Sequence, residues 1–429
     1  MIIRVPRNFL FPLTALAFIA LTVEYADIVF TTTTRWIFLG GMTLYLLAKR
    51  RFLFGFQSWF GIALLTYCTW CITTSSWSIV PQLSLEKAVA FFLIAASFVS
   101  AGQDWIFERS TQKALSYLIP ITVIALLAGL SGHTEAAGVA GVEAMVGLTT
   151  NPNMAGSLIC MALPVLLWNA YKYRELPNAR LLWFVLLALA SLQLVRTYSR
   201  ASMLSAAILF IGYSLSIKLP RSSFVLATIA GAVIVVVGAS TPLFDTLYHD
   251  YVLKGAPEDS GILYTRDAVW TTSYENAKEG GLVGIGYGAT VGDTVFRGGL
   301  TAFRYGREKG NAQLAVVEET GLVGLGLYCL LLVALFTPLV SAFMREAHKD
   351  DKIILGIVTG ALAGLTVMSV FEAWWVAPGS PESAYFWSLA GVGMALARKS
   401  QYSVKIPVPR PTFRAAAPPN VLPERRMKG

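Results

Sequence analysis

Apolar stretches of roughly 16 to 24 residues recur along the whole chain, each about long enough to cross the ~30 Å hydrocarbon core of a bilayer as a helix. They fall at 8–23, 32–48, 56–73, 87–101, 114–130, 154–170, 181–195, 201–217, 222–240, 320–343, 353–371 and 382–397. The pattern predicts an all-α, polytopic membrane protein with about twelve transmembrane helices. Composition agrees, since 55% of the 429 residues are apolar and only 14% charged, against about 25% charged in a globular chain. The first stretch follows the basic segment MIIRVPR, but Glu24 and Asp27 follow it without a small-residue cleavage site. It is therefore expected to be a retained helix rather than a signal peptide.

The spans divide the chain into helices one to nine (1–240), a long loop (241–319), helices ten to twelve (320–397) and a basic, Pro-rich tail (398–429). With the N-terminus inside, 23 of the 34 Lys and Arg residues fall on the inner side, eight of them in the tail, as the positive-inside rule expects. Both termini are then cytoplasmic. The stretch 406–429 is expected to be disordered and lipid-facing, and the net charge of +9 calls for membrane lipid and no nucleic acid. Eleven basic residues remain outside, seven of them in the long loop.

Cofactor chemistry finds little support. Cys68 and Cys71 form a C-x-x-C with no second pair or His cluster, so they are expected to be packing residues. GLVGIGYG at 281–288 follows no buried strand and opens no helix, which fails the context of a dinucleotide fingerprint. With no P-loop and no D-x-D pair, neither a metal nor a nucleotide donor is expected.

The remaining polar features are expected on the outer face. TTNPN (149–153) places Asn151 and Asn153 where they either cap a helix or bind a ligand. RTYSRA (196–201) puts Arg196 and Arg200 in one short turn, on a shared face if the next helix begins early; two arginines there favour an anion site over simple helix anchors. YTRDAVW (264–270) has helical spacing, with Arg266 pairing either a ligand or a nearby acid such as Asp267. FRYGREKGNAQLAVVEETGLVG (303–324) gathers Arg304, Arg307, Lys309, Asn311, Glu318 and Glu319. FEAWWVAPGSPESAYFW (371–387) adds Glu372 and Glu382 among aromatics that suit an interfacial belt or a sugar-stacking surface. Arginines beside carboxylates suit a lipid-linked pyrophosphate, because guanidinium forks bind phosphate oxygens bidentately. They also stabilise charge growing on a pyrophosphate leaving group, while a carboxylate or amide positions or deprotonates an acceptor hydroxyl.

NPN, then T-x-S-R, then R-x-x-x-W, then N-x-x-L-x-x-x-x-E-x-G resembles the O-antigen ligase and polymerase superfamily. The matching residues are Asn151 and Asn153; Thr197, Ser199 and Arg200; Arg266 and Trp270; and Asn311, Leu314, Glu319 and Gly321. WSIVPQLSLEKA (77–88) resembles the family's early outer loop, so the likeness runs from about 75 to 390. It implies a metal-independent glycosyltransferase of the GT-C type in the bacterial inner membrane, with a periplasmic long loop and active site. Its donor and acceptor would be undecaprenyl-pyrophosphate-linked oligosaccharides, and a flippase and chain-length or export proteins are its candidate partners. By this resemblance Arg200, Arg266 and Glu319 are the expected catalytic residues. Arg196, Asn151, Asn153, Trp270, Arg304, Arg307, Lys309, Asn311 and Glu372 are the expected substrate contacts. Family ligases carry His immediately before the loop Asn, where this chain has Gly310, so the sequence looks more like the exopolysaccharide polymerase branch, of xanthan type. Without that His the base is left among Glu319, Glu318 and Glu372, or no strong base is needed because the donor carbon is electrophilic enough. A ligase acting on lipid A core or another acceptor is the nearer alternative. A transporter is the farther one, disfavoured by charges that avoid span centres and by dissimilar halves.

Overall fold

The computed structural model describes residues 8–24, 26–137, 142–217, 264–290 and 309–405. The expected ninth span (222–240) and the tail segment 406–429 lie outside the described residues. The chain is a helix bundle built from Leu10–Ile19 (α1), Thr32–Ala48 (α2), Trp59–Thr73 (α3), Pro81–Phe107 (α4), Ile119–Leu130 (α5) and Pro152–Lys172 (α6). Pro177–Arg196 (α7), Arg200–Ser216 (α8), Tyr264–Gly280 (α9), Ala312–Arg345 (α10), Lys349–Met368 (α11) and Pro381–Lys405 (α12) follow. Among the described residues, six segments are long and apolar enough to cross a membrane: Pro81–Phe107, Thr111–Leu130, Pro152–Lys172, Pro177–Arg196, Ala312–Arg345 and Lys349–Met368. Leu10–Thr22 and Arg200–Ser216 are apolar but shorter. The protein is thus membrane-embedded and almost wholly helical. The exception is a hairpin, Thr134–Ala137 (β1) paired antiparallel with Val142–Met145 (β2), in a stretch expected to be loop.

Helix starts follow local chemistry. Thr31, Ser58, Asn151 and Asn311 each accept a hydrogen bond from the backbone N–H three residues on, satisfying a donor the helix cannot. Pro81, Pro152, Pro177 and Pro381 occupy first-turn positions, where the missing N–H costs nothing. In the membrane, helices associate through close packing of small residues rather than by expelling water. At the α8–α11 seam, a Cβ on Gly212 would lie 2.6 Å from the Gly356 carbonyl, and one on Gly364 would lie 2.4 Å from the Ser205 carbonyl. That seam fixes the start of α8 against the end of α11, where the site is built. α7, by contrast, exposes Leu181, Leu182, Phe184 and Val185, as a lipid-facing helix does.

The bundle has two chemically distinct ends. At one, Arg51 pairs with Asp104, Lys49 with Glu108 at 3.1 Å, and Tyr171 donates to Asp350 at 3.0 Å; this gathers loops assigned to the cytoplasmic side. At the other meet the starts of α6, α8, α10 and α12, the end of α11, and α9. The long segment 241–319 is not all loop, since it contains α9.

α10 is not one rod. Gly321 interrupts it at φ 72°, ψ −175°, a conformation essentially reserved for glycine. Into that break folds the glycine-rich segment after α9: Leu322 and Val323 donate to the carbonyls of Gly281 and Leu282, and Ile285 and Gly286 to those of Glu318 and Glu319. GLVGIGYG therefore satisfies backbone groups freed by the kink, which accounts for its composition without a phosphate.

Candidate active site

The T-x-S-R turn is assembled locally. Tyr198 takes φ 51°, Thr197 Oγ1 accepts the Ser199 N–H at 3.2 Å, and Ser199 Oγ donates to Ser202 Oγ at 2.9 Å. Arg200 is thereby the first residue of α8. Arg196 ends α7 on the far side of the turn, exposed, so the two arginines do not share one helical face. The left-handed Tyr198 breaks the continuity that a shared face needs.

R-x-x-x-W is an i,i+4 pair on α9, and both side chains meet the α11–α12 turn. Arg266 Nη2 donates to Glu372 Oε1 at 2.8 Å, while the Trp270 ring lies 5.8 Å from that of Phe371 and its Nε1 donates to the Gly310 carbonyl at 3.1 Å. Arg266 thus pairs with an acid 106 residues away rather than with adjacent Asp267, which is exposed. Asn153, two residues past the α6 cap, donates to the same Glu372 oxygen at 2.9 Å. Asn151 is the cap itself, accepting the Met154 N–H at 2.9 Å. The two Asn residues therefore divide between them the alternatives of capping and polar contact. Arg200 lies within Coulombic reach of Arg266, and Glu382, at the start of α12, within reach of Glu372. Arg266, Glu372 and Asn153, from three elements, thus meet in direct contact at one partly exposed position, with Arg200 and Glu382 near enough to act on them electrostatically.

Lys309 and Glu319 are placed differently. Lys309 Nζ donates to Glu319 Oε1 at 2.6 Å and to the Ala289 carbonyl at 2.7 Å, and lies 3.4 Å from Glu318 Oε2. The second oxygen of Glu319 accepts the Gly288 N–H at 2.6 Å. Neither Glu318 nor Glu319 has exposed surface. Both oxygens of Glu319, the residue expected to orient or deprotonate an acceptor, are thus held by buried protein donors in this arrangement. Lys87, which sequence reasoning counted only as an outer charge, joins this cluster by donating to the Gly288 carbonyl at 2.8 Å. Its place after WSIVPQLSLE gave no signal of burial.

Asn311 caps α10, accepting the Leu314 N–H at 2.9 Å. At Gly310 a Cβ would lie 2.4 Å from Val269 Cγ1 and 3.5 Å from Trp270 Cδ1, so α9 occupies the space a side chain there would need. Trp374, Trp375, Phe386 and Trp387 are buried and packed against one another with their rings tilted or edge-on. They form core rather than the expected interfacial belt or sugar-stacking surface. Cys68 and Cys71 are buried free thiols among the same helices. Arg304 and Arg307 lie outside the described residues.

Fold and site together define an α-helical membrane protein with a convergent arginine–carboxylate cluster at one end of its bundle. No protein-family model matches the chain, and no curated protein matches it. Among solved structures it is similar to a chain of "Structural coordination of polymerization and crosslinking by a peptidoglycan synthase complex". The identity is 17% over 80% of this chain and 97% of that one, at a TM-score of 0.38. A likeness at that level carries no argument about fold or activity.

Proposed function

We propose that this protein is an exopolysaccharide polymerase of the GT-C type. It joins undecaprenyl-pyrophosphate-linked repeat units at the periplasmic face of the bacterial inner membrane. The observation that carries this reading is the convergence of Arg200, Arg266, Asn153 and Glu372, distant in sequence, at one half-open position. An acceptor hydroxyl attacks the anomeric carbon of the donor sugar, the glycosidic bond forms, and the bond to the pyrophosphate breaks with its electron pair staying on the leaving oxygen. Arg200 and Arg266 face the charge that develops there, a role worth roughly 10²–10³ in rate for a single well-placed donor. The Glu372 carboxylate holds Arg266 until the pyrophosphate takes that guanidinium over. Released, and oriented by Asn153, it accepts the hydroxyl proton.

Polymerase is preferred to ligase on Gly310. The ligase pattern calls for His there, and Val269 leaves no room for it. Supplying the purified protein with a lipid-linked repeat unit as sole substrate tests the reading. A ladder of products is expected, whereas silence until lipid A core or another acceptor is added would make the protein a ligase.

A further inference from the structure

At the end opposite the Arg200–Arg266 cluster, a groove of about 890 Å³ lies between α3, α4, α10 and α12. Its polarity is graded in the same direction on each wall. Along α10 it runs from Val333 and Ala334 past Thr337 to Ser341 and Arg345. Along α12 it runs from Met394 to Arg398 and Gln401, and at the start of α3 from Phe60 and Trp59 back to Ser58 and Gln57. Trp59 and Phe107, at its edge, are 64% and 58% exposed, so the apolar part opens toward the lipid side.

The distance from Val333 to Arg345 along the helix is about 18 Å, close to the half-thickness of a ~30 Å hydrocarbon core. Both guanidinium groups are held in place. Arg345 Nη2 donates to Ser341 Oγ at 2.7 Å, and Arg398 Nη1 to Gln103 Oε1 at 3.3 Å. An amphiphile with an anionic head matches this gradient, since the polar end carries two guanidinium groups, which stay charged and suit phosphate oxygens. A partner helix, with no charge at one end of its apolar face, would not match the cationic end of the groove.

We propose that this groove binds an anionic phospholipid, with an acyl chain along α10 from Val333 and the phosphate at Arg345 and Arg398. Native mass spectrometry and thermal unfolding of the full chain in detergent, with phosphatidylglycerol or phosphatidylcholine of identical chains, test it. Phosphatidylglycerol should raise the unfolding midpoint more than phosphatidylcholine does. Its apparent affinity should fall about tenfold or more in Arg345→Gln/Arg398→Gln, the loss of a charge-assisted hydrogen bond. Arg180→Gln, an exposed position outside the groove, should keep the preference. If Arg398→Gln does not fold, Arg345→Gln alone serves, because Arg345 is exposed and bonds to Ser341 of its own helix. Equal stabilisation by both lipids, or a preference that survives in the arginine variants, overturns the proposal. So does a concentration-dependent dimer abolished by Val333→Trp with lipid binding unchanged.

Discussion

Arg266 with Glu372 and Lys309 with Glu319 are both close ion pairs at the same end of the bundle, at 2.8 and 2.6 Å. Their surroundings differ. The first pair keeps 17% and 29% of its side-chain surface exposed, the second 1% and 0%. Around Glu319 the remaining hydrogen-bonding capacity is filled by the Gly288 N–H, and around Lys309 by the Ala289 carbonyl. Such a cluster is closed, and it locks the glycine-rich segment onto the α10 break. Around Glu372 the partners are side chains from separate elements, Arg266 from α9 and Asn153 from α6. Those side chains can exchange one anion for another without unfolding anything. Charge and proximity alone do not make a site; access and exchangeable partners do.

The sharpest way to break this comparison is to cut each pair. Glu319→Ala leaves Lys309 buried without its closest anion and should cost about 3–5 kcal/mol, read as a large drop in unfolding midpoint and in membrane accumulation. Lys309→Met with Glu318→Gln and Glu319→Gln removes the lysine and both carboxylates that face it while keeping an acceptor for Gly288, and should regain most of that stability with chain-linking activity retained. A well-folded but inactive triple variant would place the closed cluster in the chemistry and dissolve the distinction.

Next in size, Arg266→Ala and Arg200→Ala should each lower polymer formation by about 10²–10³, assayed as the product ladder, with near-normal thermal stability. Glu372→Gln should leave Asn153 a carbonyl acceptor while removing the negative charge that faces Arg266 and the proton acceptor. Turnover should fall with little change in stability; full activity would remove Glu372 from the mechanism.

The adjacent asparagines give the smallest and most selective contrast. Asn151→Ala should cost about 1 kcal/mol of stability as a lost cap with activity per folded molecule unchanged. Asn153→Ala should do the reverse, lowering turnover with little effect on the unfolding midpoint. Identical behaviour of the two would show that both act only at the helix start.

How much of this was legible follows from the range of each interaction. T-x-S-R could be read because its Thr, Ser and Arg act within six residues, and R-x-x-x-W because i,i+4 on α9 is a local geometry. Glu372 was legible as a candidate, but nothing near it in sequence named Arg266 and Asn153 as its partners. The burial of Lys87 and Glu319 was not legible, since burial is a property of the neighbours rather than of the residue. The use of the glycines of 281–288, filling the break at Gly321, depends on a segment that follows in the chain and returns in space.

By itself the sequence determined that this chain lives in a membrane, where most of its helices begin, and which polar residues were too many to be accidental. These follow from apolar run length, capping chemistry and composition, all of which act over a few residues. Only the tertiary structure decided which charges are sealed and which stay exchangeable. Desolvation depends on every element packed around a group, and here those elements arrive from positions tens to hundreds of residues apart.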